Sequence, residues 1–205
     1  MEPSNNELTE PTRRDFLRKL GLVVGSSAAF TLVSGVKLNQ AFAYEMTPNS
    51  AHRKGKTFTQ SQMATLAKIA RTVLPKTDTP SAEDVDCHGF IDHQLAVCYN
   101  KHDRRLAIEI VDDIESAAIN AFSTSFAQLI DSQRHELLTK LERLDGFNHD
   151  QKSKFQLIKH LIVFGFFTSE VGATQALRYL PVPGGFTGSI PYKKGDKAWG
   201  SHAFY

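Results

Sequence analysis

The sequence predicts a mainly α fold: a compact, irregular bundle of about five helices, followed by an extended C-terminal arm rich in Pro, Gly and aromatic residues. Three observations predict it. Apolar residues recur at three- and four-residue spacing over five separate stretches. No stretch alternates with period two for the length a strand needs, and the segment from residue 178 onward is broken by Pro181, Pro183, Pro191 and several glycines.

The first element is not part of the bundle. Thr12-Arg13-Arg14-Asp15-Phe16-Leu17-Arg18 precedes a moderately apolar run from Leu20 to Val36, and Ala41-Phe42-Ala43 follows. A basic start, an apolar stretch and an A-x-A site describe a bacterial export signal, here residues 1–43 with cleavage after Ala43. The paired Arg13 and Arg14 with Phe16 and Leu17 behind them resemble the twin-arginine (Tat) type. The competing reading, a membrane span, requires about 20 strongly apolar residues. This stretch is interrupted by Gly25, Ser26, Ser27, Thr31, Ser34 and Gly35 and is closed by Lys37.

Residues 44–57 are polar and basic without periodicity and read as a flexible leader; the helical domain is assigned to 58–177 and the arm to 178–205. The first helix begins at Thr59, with Gln62 placed to complete a capping box. Met63, Leu66, Ile69, Ala70 and Val73 form its apolar face and Pro75 ends it. After a loop from Lys76 to Asp86, a second segment carries Phe90, Ile91, Leu95, Val97 and Cys98. A third runs from about Arg104 to Phe126, with Leu106, Ile110, Ile114, Ala117 and Ala121 on one stripe and Glu109, Asp112, Asp113 and Glu115 nearer the other. Asp131 is placed to cap a fourth helix reaching Leu144, and His149 or Asp150 opens a fifth carrying Phe155, Ile158, Ile162 and Phe166.

Composition narrows the function. The 24 basic and 22 acidic side chains give a net charge of +2 and no polyanion-binding signature, so nucleic acid is not an expected partner. Removing residues 1–43 takes five basic and four acidic groups and leaves 19 against 18, a nearly neutral surface suited to docking on another protein. Chemistry-bearing motifs are few. Gly184-Gly185-Phe186-Thr187-Gly188 lacks dinucleotide spacing, and Cys98-Tyr99-Asn100-Lys101-His102 lacks the second thiol of a haem-attachment motif. His135-Glu136-Leu137-Leu138-Thr139 lacks the second His of a zincin. The i,i+4 carboxylates Glu109 and Asp113 read as a solvated face before an acid–base couple. No catalytic, cofactor-binding or metal-ligating residue is assigned in this chain.

The nearest approach to a metal cluster is Asp86, Cys87, His88, Asp92, His93 and Cys98. His88 and His93, five apart on a helix, point about 140° from each other and make poor joint ligands. Surface histidines and oxidised cysteines are the plainer reading. Eleven residues of continuous helix would separate Cys87 from Cys98 by roughly 16 Å, against the ~5.5 Å between Cα atoms that a disulfide needs. The candidate disulfide therefore requires Cys87 in a folded-back loop, or a bond from at least one cysteine to another chain.

The arm combines helix-breaking Pro and Gly with the large anchors Tyr179, Phe186, Tyr192, Trp199, Phe204 and Tyr205, an aromatic content foreign to disordered tails. Such a segment lies on its own bundle, on a partner, or on both. Arg178, Tyr179, Pro183, Phe186, Tyr192 and Trp199 are the candidate partner contacts; Arg178 and Asp78 read as tethers of arm and loop.

Four segments carry a family resemblance: Leu74-Pro75-Lys76-Thr77-Asp78-Thr79-Pro80-Ser81-Ala82, Phe90-Ile91-Asp92, Gly165-Phe166-Phe167-Thr168-Ser169-Glu170-Val171-Gly172, and Arg178-Tyr179-Leu180-Pro181-Val182-Pro183-Gly184. They resemble the gluconate 2-dehydrogenase subunit 3 family over most of the chain after residue 43. Ser81 stands where that family commonly has Gly. The resemblance implies the non-catalytic small subunit of a periplasmic, membrane-associated sugar, sugar-acid or polyol dehydrogenase complex. In such complexes FAD belongs to the large subunit, haem c to a multihaem cytochrome subunit, and the small subunit supplies the signal read by the Tat translocase. A stand-alone periplasmic oxidoreductase or ligand-binding protein is the alternative.

Overall fold

The computed structural model describes residues 44–179, 184–185, 189 and 191–199. Five α-helices lie among the described residues: α1 Gln60–Val73, α2 Cys87–Val97, α3 Lys101–Phe122, α4 Asp131–Arg143 and α5 His149–Thr168. Short 3-10 turns at Ser50–His52 and Phe126–Gln128 and a π turn at Gly172–Ala176 complete the regular structure, and no strand occurs among the described residues. The chain is a mainly α bundle.

Each helix starts where its local chemistry permits. Thr59 caps α1 by accepting from the Gln62 amide, while the Gln62 side chain accepts from the Thr59 amide, a complete capping box. Asn148 and Gln151 form the same box at α5, and Asn100 caps α3 by accepting from the Asp103 amide; each satisfies a first-turn amide that has no partner inside the helix. The third helix thus begins three residues before Arg104 and ends at Phe122, where Ser123 turns left-handed; Phe126 belongs to the separate 3-10 turn. Asp131 is not the cap of α4 but its first helical residue, and it pairs with Arg134 at 2.7 Å. Leu144 closes α4 in the left-handed region at φ 62°.

α1 is the central helix and packs against the other four. Its buried Leu66, Ile69 and Ala70 join Ile91 and Leu95 of α2, Ile110 and Ile114 of α3, Leu141 of α4 and Phe155, Ile158 and Ile162 of α5 in one core. Burying the Leu, Ile and Phe side chains among these contributes about 1.5–3 kcal/mol each. On α3 the buried stripe is Ala107, Ile110, Val111, Ile114 and Ala118, turned by about one residue from the predicted stripe; Ala121 is exposed. The reason lies in the carboxylates. Glu115 accepts from Thr65 at 2.9 Å and Asp112 from Gln62 at 2.7 Å, facing α1, while Asp113 accepts from Gln151 and Glu109 pairs with Lys154 at 2.9 Å, facing α5. The acidic run is neither a free solvated face nor an acid–base couple; it stitches α3 to its neighbours.

Buried Arg134 has no counterpart in the sequence reading. Its guanidinium donates to the Phe126 and Ala127 carbonyls at 3.3 and 3.2 Å, holding the 3-10 turn that inserts Phe126 into the core.

Candidate partner interface

Residues 44–58 form no α-helix, yet they are a strap fixed along α2 and not a free leader. Two buried aspartates hold it, Asp86 at 4% and Asp92 at 5% exposure. Asp92 accepts from three successive backbone amides, Lys56 at 2.6 Å, Thr57 at 2.8 Å and Phe58 at 3.0 Å. Its charge is met by peptide dipoles, as in an anion-binding nest. Gly55 sits so close to this carboxylate that a Cβ would be 2.5 Å from Asp92 Cγ.

Asp86 caps α2 from the left-handed region, φ 57°, a conformation tolerated by Asp more than by most residues. Its side chain accepts from the Gly89 amide at 3.3 Å, the Thr47 amide at 3.0 Å, Ser50 Oγ at 2.5 Å and the Tyr44 hydroxyl. Burial first, and this bond second, push the Tyr44 phenol well above its ordinary pKa.

Ser50, His88 and Asp86 therefore meet, but not as a catalytic relay. A relay needs serine on one ring nitrogen and the carboxylate on the other. Here Ser50 Oγ at 2.7 Å and Asp86 Oδ1 at 3.2 Å both face His88 Nε2, and Nδ1 is buried with no hydrogen-bond partner. Since Ser50 donates to Asp86, the network assigns Nε2–H as the donor. Burial holds the imidazole neutral by lowering its pKa, against the opposing pull of Asp86 and Glu83. The triplet is a latch between strap and helix.

This corrects the reading of the His and Cys cluster. His88, expected at the surface, is 3% exposed. His93 lies on the outer side of α2 within 3.3 Å of Lys56, and among the described residues no three His, Cys, Asp or Glu side chains converge as a metal site. Cys87 opens α2 and Cys98 caps its end, so the folded-back loop needed for an intrachain disulfide does not exist; Cys87 is buried and Cys98 exposed.

Beside the latch, aromatic rings run from the strap across α2 to α5. Tyr44 meets Phe90 edge-on at 5.9 Å and His93 at 5.7 Å, and Phe90 meets Phe164 at 5.9 Å. Gly165 makes this possible, because a Cβ there would lie 2.6 Å from the Phe90 ring. Sequence periodicity assigns Phe90 and Val97 to the apolar side of α2; the structure leaves Phe90 half-buried and Val97 exposed.

In the arm, Arg178 and Trp199 come together. The Arg178 amide donates to the Ala198 carbonyl at 2.7 Å, and the guanidinium carbon lies 4.9 Å from the Trp199 ring centroid. Lys197 donates to the Gln175 carbonyl, so the returning chain also touches the π turn. Arg178, Tyr192 and Trp199 line one open cleft of about 370 Å³, while Tyr179 is exposed and outside it. Arg178 thus tethers the arm to itself. Asp78 is exposed, with its carboxyl pKa lowered chiefly by the Thr77 hydroxyl. Arg13, Arg14, Phe16, Leu17, Ala41, Ala43, Pro183 and Phe186 lie outside the described residues.

The signal that sequence reasoning missed is the pair Asp86 and Asp92. Asp86 caps α2 and Asp92 lies at its middle, and their strap partners stand some 34 to 42 residues upstream, a separation no local pattern encodes.

Comparison with curated proteins and with solved structures gives no match. The family model described as gluconate 2-dehydrogenase subunit 3 matches residues 60–184, which covers α1 to α5 and the start of the arm. On that match, over more than half of its length, the chain belongs to the gluconate 2-dehydrogenase subunit 3 family.

Proposed function

We propose that the chain is the non-catalytic small subunit of a periplasmic flavin-dependent dehydrogenase complex acting on a sugar, sugar acid or polyol. Its roles are to supply the Tat signal for export and to stabilise the FAD-containing large subunit. The single observation that supports this most is the family match over residues 60–184, since the family takes its name from one subunit of a multi-subunit dehydrogenase. FAD belongs to the large subunit and haem c to a multihaem cytochrome subunit; the complex sits peripherally at the inner membrane. The sequence between residues 12 and 43 supports the export role, because a twin-arginine signal serves proteins that fold before they cross. A partner that binds FAD in the cytoplasm would travel with this chain as a passenger.

The decisive experiment replaces Arg13 and Arg14 together by Lys in cells expressing the whole complex. The expected result is retention of both this chain and the flavoprotein in the cytoplasm, read by fractionation and by flavin absorbance. Continued export of the flavoprotein refutes the escort role. Purified chain that carries flavin absorbance or oxidises a sugar with a dye acceptor refutes the non-catalytic assignment.

A further inference from the structure

The seam between α2 and α5, covered on one side by the strap, carries two adjacent exposed apolar side chains on its outer surface. Helices of a bundle ordinarily present one apolar stripe inward and polar residues outward. The last turns of α5 do not: Leu161, Ile162 and Phe166 are buried, yet the outward Val163 and Phe164 are 39% and 49% exposed. Phe164 is the end of the ring ladder through Phe90 to Tyr44. Met46, two residues after Tyr44 on the strap, is exposed, as is Val97, two turns beyond Phe90 on α2.

The ladder is also rigid. Tyr44 is held by Asp86, and Phe90 fills the space above Gly165, so the rings meet a partner already in place and little side-chain entropy is lost on contact. Lys56 borders it, its Nζ 3.3 Å from His93, and Lys54 and Arg53 stand two and three residues earlier on the same strap. All three are exposed, and none forms an ion pair among the described residues.

We infer that the Tyr44–Phe90–Phe164 face is the docking surface for the large subunit of the complex, received by an apolar patch with acidic side chains at the rim opposite Arg53, Lys54 and Lys56. The inference rests on the subunit reading above. An apolar, aromatic centre with a charged rim is the anatomy of a protein–protein contact. A lipid surface is the weaker occupant, because interfacial insertion buries an apolar face about 5–10 Å deep, and here Phe90 is half-buried between the Tyr44 and Phe164 rings.

The test uses the whole chain co-expressed with its flavoprotein. Phe164 is replaced by the photo-crosslinking residue p-benzoylphenylalanine, with Ile119, an exposed residue of α3, replaced in the same way as a control. Irradiation is expected to join the chain to the flavoprotein from position 164 and not from position 119. The double substitution Phe164→Asp with Lys56→Glu is expected to weaken co-purification at least tenfold while the circular dichroism spectrum and melting temperature of the isolated chain stay unchanged. A complex that forms normally but crosslinks from 164 to a second copy of this chain, or to nothing, overturns the docking face and leaves the subunit reading standing. Flotation of the chain with phosphatidylglycerol vesicles that is abolished by Phe164→Asp also overturns it, in favour of a membrane contact. A wild-type chain that co-purifies with no flavoprotein overturns the subunit reading and the docking face together.

Discussion

The Phe58 amide donates to Asp92 Oδ1 at 3.0 Å, and both residues are buried, one as the strap's entry into the core and the other on α2. With the Lys56 and Thr57 amides on the same carboxylate, this contact turns an aperiodic polar stretch into fixed structure. Hydrogen bonds to a charged group contribute about 1.5–3 kcal/mol each, less whatever water recovers when they break. Asp92→Ala is therefore expected to cost about 3 kcal/mol in a urea titration, and Asp92→Asn, which keeps one acceptor oxygen, about half. Limited trypsin digestion should cut Asp92→Ala at Arg53, Lys54 or Lys56 at least tenfold faster than wild type. Equal cutting rates would mean that the strap is held by something other than this carboxylate.

His88 gives the fold an acid sensitivity. Its pKa is lowered in the native state by burial, so the unfolded chain takes up a proton near pH 6.5 that the native chain refuses. The unfolded state binds more protons there, so stability falls as pH drops below 6.5. His88→Gln keeps a donor at the position of Nε2 and removes the titration. The melting temperature of wild type is expected to fall more steeply between pH 7 and 5 than that of His88→Gln; parallel curves would exclude His88 as the group responsible.

Legibility from sequence followed the range of the interactions. The Thr59–Gln62 capping box and the apolar spacing of α1 and α5 are local, and both were readable because a helix places its neighbours three and four residues apart. The rotated stripe of α3 was not, since Glu115 and Asp112 face inward to partners on α1, and that pairing of polar groups overrides the apolar count. The strap escaped for the same reason. Nothing near Tyr44 or Ser50 announces Asp86, and a carboxylate bonded to backbone amides leaves no mark in the sequence of the strap it holds. Of the arm, the pairing of Arg178 with Trp199 answers part of the question the composition raised: the arm contacts itself, with Tyr179 and Tyr192 left exposed.

The two thiols are expected to behave as different chemical species. Cys98 is exposed, whereas Cys87 is buried and its pKa is pushed up to about 12 by burial and by the neighbouring Asp86 charge. Thiolate is the reactive form. Native chain at pH 8 should take up one equivalent of iodoacetamide, mapped to Cys98, and two equivalents once unfolded. The same shift has a stability consequence: above pH 9 the unfolded thiol ionises and the buried one does not, so the unfolded state binds fewer protons and stability declines up to about pH 12. Cys87→Ala should flatten that alkaline decline, while native labelling at Cys87 would contradict the burial itself.

Trp199 closes the arm but carries none of the core. The guanidinium–indole contact with Arg178 contributes roughly 0.5–1 kcal/mol at an exposed site, and the Arg178 amide to Ala198 carbonyl bond adds a local constraint. Because these contacts lie outside the buried cluster, Trp199→Ala is expected to open the loop between residues 178 and 199 without destabilising the bundle. Trypsin should then reach Lys193, Lys194 and Lys197 several-fold faster, while the calorimetric melting temperature stays within about one degree of wild type, as expected for a surface change outside the core. Trp199→Phe, which keeps a ring face for the guanidinium, should restore most of the protection. A melting temperature that drops by several degrees in Trp199→Ala would instead make the arm part of the folded body, and its aromatic residues would then be structural before they are contacts for a partner.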